Sequence, residues 1–183
     1  LEFADPDEPV ELANIEVAEG VIRLPKFESR DSVPDPTHWL VRYPHFLMMV
    51  FFDEKDDGLC QLPGNWGDTE LARWRAIYSL GFEDVDRAGT PADLARVING
   101  VTAKSILLTG FAKERFVEFR SARFGGFIQG SAEQGSMAVC VELFPNNAKD
   151  DRRLSLSFGK LAPGVRDADI ERFVAAVEFL PEK

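Results

Sequence analysis

Apolar and polar residues alternate most regularly in the last third of the chain. Arg153-Leu154-Ser155-Leu156-Ser157-Phe158 sets Leu154, Leu156 and Phe158 on one side and two serines on the other. That period of two predicts a strand buried on one face. Residues 137–144 form an apolar run with one charge, Glu142, closed by the turn cluster Pro145-Asn146-Asn147. Together the two runs predict an antiparallel hairpin, its first strand buried on both faces or nearly so. Upstream, Phe116, Glu118, Arg120 and Ala122 alternate with Val117, Phe119, Ser121 and Arg123. Gly125, Gly126 and Gly130 then predict a sharp bend or bulge before the next strand. After the turn at Pro163-Gly164, Asp167 is the predicted N-cap of a closing helix, with Ile170, Phe173, Val174 and Val177 on its buried face.

The first half is read the same way. Residues 15–17 and 21–24 predict short strands around Glu19-Gly20, the second ended by Pro25. Residues 29–37 are polar with two prolines and predict a loop. Residues 39–43 predict a strand broken at Pro44, and the unbroken apolar run 46–52 predicts a central strand buried on both faces. Asp68 or Thr69 opens a predicted helix with Leu71, Trp74, Ile77 and Tyr78 inward and Gly81 at its end. Thr90-Pro91-Ala92-Asp93 opens another, with Leu94, Val97 and Ile98 as its apolar face and Gly100 as its stop. Residues 105–111 predict a further strand. Segregated strands and helices define an α+β class, a mainly antiparallel sheet flanked by about three helices. No repeat or linker divides the chain: residues 1–11 read as an acidic N-terminal arm and 12–183 as a single domain.

The chain has 183 residues and a net charge of −10. Such a charge argues against nucleic acid and against anionic lipid as partners, since both need a basic surface. It is compatible with a basic protein partner. No stretch approaches the ~20 apolar residues of a membrane span. The sequence starts at Leu1 rather than Met, which fits a fragment, a trimmed chain, or a processed form that has lost a signal or lipid anchor. Two cysteines, Cys60 and Cys140, leave two readings: a disulfide in an oxidising compartment, or two buried thiols.

The residues that carry chemistry form no recognisable constellation. His38 and His45 are seven apart with Pro44 between them, and further zinc ligands at useful spacing are missing. The acidic run from Asp53 to Gly58 has Lys55 where a calcium loop needs an oxygen ligand and Gly64 where it needs Glu. The glycines near 125–135 lack dinucleotide-site spacing, and no G-x-S-x-G elbow occurs. No cofactor is implied. Trp66 and Asn65, in the Gly/Pro-rich loop 62–67, are the strongest candidates for contact with a ligand or partner, with Trp39 beside them as a third.

Three stretches resemble the PsbP-like group of α/β/α sandwich proteins. Glu19-Gly20-Val21-Ile22-Arg23-Leu24-Pro25 is similar to the short strand ending in Leu-Pro near the start of those domains. Residues 126–158 resemble their long meander, and Asp169-Ile170-Glu171-Arg172-Phe173, leading to Phe179, their closing helix. The resemblance implies a PsbP-like sandwich and a binding or accessory role, with no catalytic residue to transfer. The expectation is a non-enzymatic binding module for an unknown protein or small ligand, exported in a bacterium to the periplasm or beyond. The alternative is a cytoplasmic interaction protein, an effector chaperone or immunity protein, that binds a basic partner. A hydrolase with an unfamiliar site comes third.

Overall fold

Ten strands among the described residues carry the architecture. The structure, a computed structural model, describes residues 10–17, 20–32, 37–53, 72, 75–77, 79–80, 83–107, 115–136, 138–147 and 152–182. By internal contact the chain groups into two compact units, Leu1–Glu54 with Glu114–Lys183, and Lys55–Lys113. No composition shift in the sequence marks these boundaries.

In the first unit, β1 (Leu12–Val17), β2 (Gly20–Pro25) and β10 (Glu178–Pro181) make a three-stranded antiparallel sheet in the order β1-β2-β10. A seven-stranded sheet runs β3-β4-β5-β9-β8-β7-β6. Its members are β3 (Ser29–Ser32), β4 (His38–Tyr43), β5 (Phe46–Asp53), β6 (Phe116–Arg120), β7 (Phe124–Gln129), β8 (Ala138–Pro145) and β9 (Arg153–Gly159). Every neighbouring pair is antiparallel. The fold is therefore α+β with mainly antiparallel sheets, as the patterning predicts.

The register explains the core. Tyr43 and Phe46, Val41 and Met48, and Trp39 and Val50 face each other across β4 and β5. Phe158 and Leu156 continue two of these rows on β9, and Val139 and Val141 carry them to β8. That inner face packs in one cluster with Ile15, Ile22 and Leu24 of the small sheet and with α3 (Asp167–Ala176). α3 contributes Ile170, Phe173 and Val174, and Val177 and Phe179 follow it into the same cluster. The Phe173 ring meets Tyr43, Phe46 and Phe158 at centroid distances of 5.2–5.7 Å, all near edge-to-face, the arrangement aromatic quadrupoles favour. The Tyr43 hydroxyl donates to the Pro25 carbonyl at 2.7 Å. Burial pushes its ionisation far above the ordinary range, so it stays a neutral donor.

The structure revises several expectations. Residues 29–32 form a strand although all four are polar, because β3 is held at the sheet edge by main-chain pairing with β4. β5 lies inside the sheet but buries one face only: Phe46, Met48, Val50 and Phe52 are buried, whereas Met49 is 44% exposed. Gly125 and Gly126 lie inside β7 rather than at a bend; the reversal comes at Gly130, whose φ is +87°. Arg166, not Asp167, precedes α3 as its N-cap. Val177 ends that helix, and the chain then adds β10 to the edge of β2.

In the second unit, α1 (Glu83–Arg87) precedes α2 (Pro91–Leu107). Thr90 caps α2 as predicted: its Oγ1 accepts the Asp93 N–H at 3.1 Å and donates to Asp93 Oδ2 at 2.7 Å. Gly100 does not stop the helix. It is buried within α2, so residues 105–107, predicted as strand, are helical. One glycine costs a helix only about 1 kcal/mol, which packing overrides. Of the predicted face, Val97 is buried while Leu94 and Ile98 are exposed. Of the helix predicted around Leu71 to Tyr78, Ala72 and Arg75, Ala76 and Ile77 are helical, and Ile77 is fully buried. Leu71, Trp74 and Tyr78 lie outside the described residues.

Candidate binding surfaces

The sequence-predicted contact residues are not brought together among the described residues. Trp66 and Asn65 lie outside them, as does Cys60. Trp39 is on β4, 7% exposed, on the core side opposite Val50, so packing accounts for it. Cys140 is half-buried on β8, its Sγ 3.8 Å from Ser157 Oγ. His38 meets the Phe51 ring edge-on at 4.6 Å. His45 lies in the β4–β5 turn, where its carbonyl accepts the Ala162 N–H. Among the described residues no group of three or more His, Cys, Asp or Glu is placed to hold a metal ion. None of the described helices is long and apolar enough to cross a membrane.

The most ordered polar cluster ties a turn to α3. Asp167, the first residue of the helix, accepts from Ser131 Oγ and from the Ala132 N–H, both at 2.7 Å. Ser131 Oγ accepts the Gln134 N–H, and the Ser131 N–H donates to Ser136 Oγ. Arg115 stands with its Nε 3.7 Å from Asp167 and pairs directly with Glu171. Ser131 is fully buried and both donates and accepts. The cluster fixes the 131–136 turn against the helix and leaves no exposed nucleophile at Ser131. Two residues on, Asp169 Oδ2 accepts the Arg166 N–H at 2.9 Å, and the Arg166 guanidinium returns to the same carboxylate at 3.1 Å. Burial acts to raise the Asp169 carboxyl, but the side-chain and backbone bonds from Arg166 outweigh it and hold the group below the ordinary carboxylate range.

The outer face of the seven-stranded sheet is read in rows. One row runs Asp31, Leu40, Met49, Ser157, Cys140, Gln129 from β3 to β7. The next runs His38, Phe51, Ser155, Glu142, Phe127, Glu118 from β4 to β6. Glu142 accepts a hydrogen bond from Ser155, and Arg153 Nε stands 3.7 Å from it. Burial differs along these rows. Phe127 is 2% exposed, whereas at the β4–β5 end Met49 is open and Leu40, Leu47 and Phe51 are half-buried beside it. Arg42 borders that apolar patch. The unbroken run 46–52 hid the patch, since a run without polar residues reads as buried on both faces.

A second feature is a cleft of about 220 Å³ lined by Ala122, Arg123, Asn146, Asn147, Glu178, Phe179 and Leu180. It lies beside β10, an edge strand of the small sheet. Asn147 Nδ2 donates to the Phe179 carbonyl, and Asn146 Nδ2 to the Ser121 and Ala122 carbonyls, all at 3.2 Å. The Glu178 carboxylate is held from two sides, by Arg23 at 2.7 Å and Arg123 at 2.8 Å. Glu178 is 155 residues from Arg23, and no sequence signal marks such a pairing.

Compared with protein-family models, curated proteins and solved structures, the chain matches none.

Proposed function

We propose that the chain is a non-enzymatic binding or accessory module that offers the β4–β5 end of its seven-stranded sheet to a protein partner. The observation that carries this reading is Met49, 44% exposed among Leu40, Leu47 and Phe51 on a regular sheet face. A flexible, polarizable thioether surrounded by half-buried apolar side chains suits a surface that adapts to a partner. The resemblance to the PsbP-like group, whose members are mostly binding or accessory proteins, supports the same reading and adds the α/β/α sandwich to it.

The test is a photo-crosslinking amino acid placed at Met49, and separately at Glu16 on the exposed side of β1, in cells of the protein's own source. A discrete adduct from position 49, absent from position 16 and lost on Leu47→Asp, is the expected result. The same adducts from both positions, or none from position 49, would reject the surface. The net charge of −10 favours one second reading, a cytoplasmic interaction protein covering a basic partner. Capture that weakens steeply with added salt, together with two free thiols at Cys60 and Cys140 in the unreduced protein, selects it. A Cys60–Cys140 disulfide selects export.

A further inference from the structure

The cleft beside β10 carries an inference independent of the sheet face. Two guanidinium groups from distant parts of the chain converge on one carboxylate: Arg23 of β2 reaches Glu178 Oε2, and Arg123, between β6 and β7, reaches Oε1. Two cations on one anion leave a net positive charge at this point of a strongly acidic chain. Arg123 lines the cleft and Arg23 does not. The Arg123 side chain is 50% exposed, that of Glu178 only 17%. A guanidinium has five N–H donors in a planar fork that fits a carboxylate in two-point contact. Here Arg123 Nη2 stands 2.8 Å from Glu178 Oε1.

The division of labour follows. If Arg123 turns from Glu178, Arg23 still neutralises the half-buried carboxylate. Arg123 can therefore change partner without stranding a charge, the cost that normally locks such a pair. The rest of the cleft selects what it turns to. Phe179, Leu180 and Ala122 supply apolar wall, and Leu180 is open at the surface. The two asparagine amides are anchored by their nitrogens to main-chain carbonyls, which ties the 146–147 turn to the 121–122 segment and to β10 and fixes the cleft's lining. The geometry points to this cleft as a binding site for a small organic carboxylate of a few carbons, with Arg123 clasping the anion and Leu180 covering its tail.

Butyrate titrated into the whole protein at constant ionic strength, with chloride as the balancing anion, tests this by two-dimensional NMR. Saturable shifts are expected at the amides of Ala122, Arg123, Asn146, Asn147 and Leu180. Arg123→Gln should weaken binding about tenfold, the scale of losing one charge-assisted contact. Glu178→Gln should tighten it several-fold, because it removes the resident competitor. Leu180→Asp, at an exposed position outside the Arg–Glu contacts, should weaken binding by repulsion and keeps the test open if an Arg123 variant fails to give a dispersed spectrum. A short peptide with a free C-terminus that binds more tightly than butyrate, and loses binding on amidation, identifies the anion as a chain end. Butyrate binding the tighter identifies a free acid. Shifts that do not saturate, unchanged affinity in Arg123→Gln, or weaker binding in Glu178→Gln would overturn the assignment.

Discussion

A Cβ on Gly126 would stand 1.9 Å from the Glu142 carbonyl oxygen and 3.0 Å from the Leu143 Cα, both main-chain atoms of the neighbouring strand. Neither can rotate away, so β7 and β8 approach there only because the side chain is missing. Gly126→Ala should destabilise the protein by about 3 kcal/mol or more, read as a lowered denaturant midpoint; a loss within a few tenths would refute the close approach. Asp169 makes the opposite kind of prediction, one in pH. Its folded carboxyl titrates below the ordinary value of 3.8, held down by Arg166 despite burial. As pH falls the unfolded chain therefore takes up the proton first, so stability rises with pH between the two values. The contribution is complete well above 3.8 and is lost as pH falls through the lower folded value. Asp169→Asn should cost ~1–3 kcal/mol near neutrality and flatten the stability loss below about pH 4. Urea melts across pH check both; an acid limb as steep as the parent's would sink the assignment.

At the scale of elements, α3 is held by one residue above others. Phe173 touches three aromatic rings from β4, β5 and β9, so Phe173→Ala should cost about 3–5 kcal/mol and broaden the signals of Tyr43, Phe46 and Phe158. Calorimetry and aromatic NMR read the two effects, and an unchanged melting temperature would contradict the docking. This helix was legible in the sequence because Ile170, Phe173, Val174 and Val177 repeat at helical spacing. β9 was legible because its serines alternate with Leu154, Leu156 and Phe158. The elements that escaped share a cause: their places are set by partners, not by their own pattern. β3 is Ser-Arg-Asp-Ser and joins the sheet through main-chain pairing with β4. β10 has four residues and forms on the edge that β2 offers. Gly126 reads as a bend until Glu142 is seen to lie against it. Of the candidate surfaces, Met49 was hidden in an apolar run, and Glu178 between two arginines depends on a chain path that no local spacing encodes.

For the molecule as a whole, the seven-stranded sheet sets the order of stability. β9 lies at its centre, paired along its length with β5 on one side and β8 on the other. β5 and β9 stand about a hundred residues apart in sequence, so this ladder closes a long loop and its contacts are costly to nucleate. Once formed, they are shielded by two further strands beyond β5 and three beyond β9. The edges are protected differently. β3 is short and carries Arg30 and Asp31, and β6 carries Glu118 and Arg120 joined by a 2.9 Å bond. Short charged edges resist pairing with another chain, but their outward amides face no strand among the described residues. Native-state amide exchange should therefore be slowest in β9, β5 and β8, where opening requires the whole ladder to part, and fastest in β3 and β6, which can fray alone. Denaturant should accelerate exchange strongly in the central strands and hardly at all at the edges, because only global opening exposes much surface. Amides of β3 exchanging as slowly as those of β9 would mean that another surface covers that edge. The partner face at Met49, two strands in from β3, would then have to be placed elsewhere.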